Sequence, residues 1–162
     1  MDNLVPVRLR FVRGEGFLSE AICAVTWSKW SHVEFWTPDG YLGAQVKGGI
    51  QVRPYDYCKV KAEAFAHVML TPEQADGLWK FAYSQIGKPY DIAAIFGFLF
   101  HRDWAHQGKW FCSEFATASF IIGAQFPILN VANHEYVISP GLLALAPALV
   151  WEGGASPLLI NS

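Results

Sequence analysis

Two strand-like runs, Ser31-His32-Val33-Glu34-Phe35-Trp36 and Tyr41-Leu42-Gly43-Ala44-Gln45-Val46, flank Thr37-Pro38-Asp39-Gly40, and this arrangement constrains the fold more than any other stretch. Pro at the second turn position, Asp at the third and Gly at the fourth describe a type I turn. With Thr37 and Gly40 flanking it, an antiparallel register follows in which Trp36 faces Tyr41, Glu34 faces Gly43 and His32 faces Gln45. Opposed residues stand about 4.5–5.5 Å apart at Cβ, so a Gln side-chain oxygen can accept from an imidazole N–H across the pair. A one-residue bulge would put Ala44 or Val46 in place of Gln45. Glu34 lies two positions from His32 and shares its face.

The remaining chain supplies a mostly antiparallel sheet and a few helices. Val5, Val7, Leu9 and Phe11 alternate with Pro6, Arg8 and Arg10, the period of a half-buried strand. Leu18 to Trp27 reads as a short helix starting near Ser19, with an extended run over Ile22 to Thr26 as the alternative. Ile50 to Arg53 and Ala62 to Met69 read as further strands. Thr71-Pro72-Glu73-Gln74 is a helix start, with Thr as cap and Pro at the first helical position. Ala75, Leu78, Trp79, Ala82 and Ile86 give that helix its buried side, and Gly87 and Pro89 stop it. Asp91 caps an apolar segment, Ile92 to Phe100. Phe111, Phe115, Ala118 and Ile122 recur at three- and four-residue steps, a helix with Cys112 in or just before its first turn. His134 to Ile138 reads as a short strand, Pro140 to Leu145 as one helical turn, and the apolar tail beyond has no regular period.

Composition narrows the function classes. At 162 residues with 52% apolar and 16% charged side chains, the chain reads as one folded domain spanning residues 1–162. Twelve Lys and Arg against fourteen Asp and Glu argue against a nucleic-acid partner. Arg8, Arg10 and Arg13 form the one local basic cluster and read as solvated strand positions. No positive region precedes an apolar run near Met1, so no signal peptide is visible and a cytoplasmic location is expected. The apolar run Ile92 to Phe100 is far short of the roughly 20 residues of a membrane span. Cys23, Cys58 and Cys112 are too few and scattered for a disulfide framework or a zinc pair, and Cys23 and Cys58 read as structural. No HExxH, HxH or Walker pattern occurs, so no metal and no cofactor is expected.

Five histidines compete for a chemical role. His67 reads as a core or edge residue of its strand, His101 and His106 as surface loop residues, and His134 has no ligand partner at metal spacing. His32 is the one that a strand places beside polar partners. Cys112 has two readings. It is an ordinary buried cysteine, or it is a thiolate favoured by the unpaired N–H groups of a helix start.

A Ser-His on a strand, a turn and second strand, then Gly87-Lys88-Pro89-Tyr90-Asp91, then an aromatic-Cys-Ser-Glu at Phe111 to Glu114, resembles the circularly permuted NlpC/P60, or permuted papain-like, cysteine hydrolases. The resemblance covers His32 to about Ser119. It implies an α+β fold whose sheet packs against a helix bearing the nucleophile. It further implies Cys112 as nucleophile, His32 as general base and Gln45 in the third, orienting role. That role is often filled by Glu in the family, which makes Glu34 a rival. Tyr90 is a candidate auxiliary donor to an oxyanion, with a packed ring as its plain alternative. The expected activity is that of a cysteine peptidase or amidase cleaving peptidoglycan peptides or a related amide through a Cys112 thioester. A lipid acyl hydrolase or acyltransferase and a catalytically silent binding module are the alternatives. The expected partner is a small peptide, amide or acyl substrate, and the oligomeric state is open.

Overall fold

Strand β1 (Val5–Gly14) is the axis of the molecule. The computed structural model describes residues 3–90, 111–129 and 138–154. Within them six strands form one sheet in the order β4-β3-β2-β1-β5-β6, with β2 His32–Thr37, β3 Gly40–Gln45, β4 Gly49–Arg53, β5 Val60–Leu70 and β6 Val150–Trp151. Every pairing is antiparallel. The α+β class and the antiparallel sheet agree with the sequence, as does the hairpin register: Phe35 opposes Leu42, Trp36 opposes Tyr41 and Thr37 opposes Gly40.

Alternation decides which side of the sheet is dry. Val7, Leu9 and Phe11 of β1, Val33 and Phe35 of β2, and Ala64, Ala66 and Val68 of β5 are all buried. The opposite side corrects the reading of the arginines as solvated. Arg10 is only 4% exposed, and each arginine has a carboxylate partner: Glu152 for Arg8, Glu34 and Glu63 for Arg10, Glu20 for Arg13. Strand alternation identifies the face but not how deeply a cation on it is covered.

Helix α1 (Phe17–Val25) settles the choice between helix and strand. Helix α2 (Pro72–Ser84) starts as expected: the Thr71 hydroxyl accepts from the Gln74 N–H at 3.2 Å, and the Gln74 side chain accepts from the Thr71 N–H at 3.0 Å. Ile86, expected on its buried side, is exposed beyond its end. Helix α3 (Cys112–Ala118) continues into a π-helical turn, Ser119–Gly123. The wider turn takes in one extra residue and shifts the buried face by about one position. Phe120 therefore enters the core and Ile122, expected on the apolar face, is 56% exposed. Gly77 of α2 and Gly123 meet backbone to backbone, since a Cβ at either would fall within 2.8 Å of the other's carbonyl oxygen.

Helix α4 (Pro140–Ala144) is the expected single turn, with Ser139 accepting from the Leu142 N–H. Strand β6 was not legible in the aperiodic tail. Its Trp151 stacks at 6.2 Å on Trp30 and lies 5.0 Å from Phe11, so packing of large rings rather than periodicity holds it. The apolar segment Ile92 to Phe100, the loop carrying His101 and His106, and His134 lie outside the described residues.

Candidate functional site

The hairpin delivers His32, Glu34 and Gln45 to one place. Gln45 Nε2 lies 3.0 Å from His32 Nε2, which matches the cross-strand neighbour expected from the turn. Glu34 Oε2 lies 3.2 Å from the same ring nitrogen. Both candidates for the orienting role thus reach one atom, and their chemistry separates them. An imidazolium N–H needs an acceptor, which the carboxylate is. The Gln45 amide nitrogen is a donor, and it donates to Glu34 Oε2 at 3.3 Å and to the Tyr57 hydroxyl at 3.1 Å.

Glu34 is the hub of this cluster and is almost fully buried. Its Oε2 also accepts from the Tyr57 hydroxyl at 3.0 Å, and its Oε1 accepts from Arg10 Nη1 at 2.9 Å. Gly43 faces it across the hairpin, and a Cβ there would stand 3.0 Å from the Glu34 Cβ, so the bare backbone makes room for the acid. Burial pushes the Glu34 carboxyl up, but hydrogen bonds and charge from His32, the Tyr57 hydroxyl and Arg10 outweigh it and hold the group below the ordinary carboxylate range. Tyr57 moves the other way: burial and the Glu34 charge raise its phenol.

Cys112 is the first residue of α3 and is fully buried. Phe111 before it has extended backbone, and the Glu114 carboxylate accepts the Phe111 N–H at 3.2 Å, closing the helix start. The Ser113 hydroxyl donates to the Ile138 carbonyl. Phe115 sets its ring edge-on to Phe35 at 5.9 Å, which seats the helix against β2. Cys112 is a hydrogen-bond and charge partner of the His32 ring. Burial disfavours the imidazolium, yet Cys112 and then Glu34 overcome it and raise His32 from about 6.5 to about 10. This predicts a pH signature in stability. A raised group stabilises the fold fully below its ordinary value near 6.5 and loses that contribution as pH climbs to about 10. The difference in urea unfolding free energy between wild type and His32→Gln is therefore expected to narrow across that window.

Tyr90 is buried, with its ring 5.9 Å from that of Phe111. The Gly87-Lys88-Pro89 segment before it extends the sheet edge: the Gly87 N–H donates to the Ile50 carbonyl, and the Ile50 N–H donates to that of Lys88, both at 2.9 Å. This segment brings Tyr90 against the residue preceding Cys112. Arg10 and Tyr57 escaped sequence reasoning. Arg10 stood among solvated arginines, and Tyr57 sat in a turn-rich stretch with no periodic signal. Cys23 is buried, but Cys58, expected to be structural, is exposed. Among the described residues no three His, Cys, Asp or Glu side chains converge as a metal site, and no helix is long and apolar enough to cross a membrane.

No protein-family model matches the chain, and no curated protein matches it in sequence. A solved structure does match in fold: the metalloprotein YiiX from Escherichia coli O157:H7, with a TM-score of 0.66 and 19% identity over 93% of this chain and 97% of that one. Its description as a metalloprotein overturns the expectation of a cysteine peptidase or amidase acting on peptidoglycan peptides through a Cys112 thioester. A helix seated on an antiparallel sheet is common to the expectation and the finding, and the hydrolytic mechanism is withdrawn. Across nearly its whole length the chain has the fold of YiiX, and fold is what the likeness establishes.

Proposed function

We propose that Cys112 and His32 form a thiolate–imidazolium ion pair, with Glu34 as the fixed counter-charge behind the ring, and that this ionised sulfur is the functional group of the protein. The single observation that supports the reading is that the buried Glu34 carboxylate lies 3.2 Å from His32 Nε2 on a ring that Cys112 also acts on. The same nitrogen has the Gln45 amide at 3.0 Å, and Cys112 is a further hydrogen-bond and charge partner of the ring. An imidazolium held by a buried carboxylate keeps its proton and sets a positive charge beside the Cys112 sulfur. Gln45 and Tyr57 keep the carboxylate turned toward the ring. Amide cleavage and thioester formation form no part of this proposal.

Metal binding, suggested by the name of YiiX, is tested by the donor set. Thiolate and imidazole suit a zinc-class cation, but a structural site takes four ligands and a catalytic one three. Among the described residues Glu34 is a further donor at the ring, and both its oxygens are committed, one to Arg10 and one to His32, Gln45 and Tyr57. The described residues do not fit a metal.

Thiolate absorbance in the ultraviolet tests the ion pair without requiring access to a buried sulfur. The difference between wild type and Cys112→Ser at neutral pH is expected to show a thiolate, and His32→Ala is expected to abolish it. Absence of a Cys112 thiolate signal from the wild type at neutral pH would sink the reading.

A further inference from the structure

We propose that Arg10 is the positioning residue of this site: its guanidinium, wedged between Glu34 and Glu63 over the ring of Tyr41, fixes Glu34 so that one carboxylate oxygen is reserved for His32. This rests on the reading of Cys112 and His32 as an ion pair and adds the device that sustains it.

The β1–β2 register sets Arg10 directly opposite Glu34, which makes the two side chains neighbours on one face. Arg10 Nη1 donates to Glu34 Oε1 at 2.9 Å, while Nε donates to Glu63 Oε2 at 2.7 Å. The guanidinium carbon lies 4.3 Å from the Tyr41 ring centroid, so an aromatic face closes the remaining side. With Oε1 held by Arg10, Oε2 is the oxygen left for His32, Gln45 and Tyr57. A Lys could not reproduce this, because a single ammonium lacks the planar fork that bridges two carboxylates.

The charge balance supports the same assignment. Among the described residues, the groups facing Glu34 are Arg10 from β1, His32 from β2, Gln45 and Tyr41 from β3, Tyr57 from the turn before β5, and Cys112 from α3 through the His32 ring. Glu63 from β5 lies on the far side of Arg10. Arg10 is the only fixed cation among them, since His32 titrates. An isolated buried carboxylate takes up a proton rather than stay charged, and a neutral Glu34 would no longer hold the His32 proton.

The experiment follows the His32 ring by NMR titration in the full chain, in wild type, Arg10→Met, Arg10→Lys and Glu63→Gln, with the Cys112 thiolate absorbance recorded in parallel. Arg10→Met is expected to lower the ring's titration midpoint by more than one pH unit, over tenfold in its equilibrium. Arg10→Lys should restore part of that shift, and Glu63→Gln should lower it by a smaller amount. A role confined to holding the strands together would reduce stability and leave the titration where it is. The proposal is overturned if Arg10→Met folds and its ring titrates as in wild type. Should Arg10→Met fail to fold, wild-type titration in both Arg10→Lys and Glu63→Gln overturns it. A wild-type ring that is raised without a matching Cys112 thiolate defeats the ion-pair reading alone, because the Arg10 effect is read on the ring. A wild-type ring titrating at its ordinary value defeats both.

Discussion

Glu34→Ala is expected to lower the unfolding free energy by about 3–5 kcal/mol, the cost of breaking a buried ion pair from one side. The side chain it removes is inaccessible to solvent and receives hydrogen bonds from Arg10, His32, Gln45 and Tyr57. Truncation leaves the Arg10 guanidinium with Glu63 as its one carboxylate, and leaves the Tyr57 and Gln45 donors turned toward a void. Urea unfolding at neutral pH measures the loss. The double variant Glu34→Ala with Arg10→Met should be less destabilised than the sum of the two singles, since the stranded charge goes with its partner. Exact additivity would mean that the two side chains are not energetically coupled. The acid limb of the stability curve should also flatten in Glu34→Ala. A carboxyl held below its ordinary range stabilises the fold above that range and loses the contribution as pH falls through its folded value.

Phe35→Ala should cost a similar amount, about 3–5 kcal/mol, for a different reason. Phe35 is fully buried, with the rings of Trp79, Phe115 and Phe120 at 5.5, 5.9 and 5.8 Å. Removing it opens a cavity where α2, α3 and the π-helical turn converge on β2, and three aromatic edges lose their contact together. Phe35→Leu should lose under about 1.5 kcal/mol, because most of the volume remains. The midpoints of chemical unfolding compare the two. Equal losses would show that the aromatic geometry, rather than the filled space, is what the core requires.

Local chemistry made much of this molecule legible in its sequence. Thr37-Pro38-Asp39-Gly40 set the register of the hairpin and so brought His32 to Gln45, and Thr71-Pro72 placed the start of α2. Both are short-range rules in which a few neighbouring residues decide the geometry. What stayed hidden depends on contacts between distant segments. Arg10 looked like one of three polar strand positions until Glu34 and Glu63 closed over it from separate strands. The π-helical turn has no periodic signature, so Ile122 was assigned to the face that Phe120 occupies. Strand β6 consists of two residues held by tryptophan stacking, below the length at which alternation can register. At the site, the sequence supplied His32, Cys112, Glu34 and Gln45 but not Tyr57, because the turn-rich stretch around Tyr57 fixes no direction for its side chain.

The central place of β1 also bears on how the chain acquires its shape. Val5 pairs with Leu70 and Phe11 with Ala64, so the first strand cannot complete its hydrogen bonding until a segment more than fifty residues downstream arrives. Such a non-local closure folds slowly and leaves an apolar strand edge bare in the interim, open to association with other chains. During synthesis, a ribosome that stalls between the β2–β3 hairpin and β5 would present that edge for capture by a chaperone.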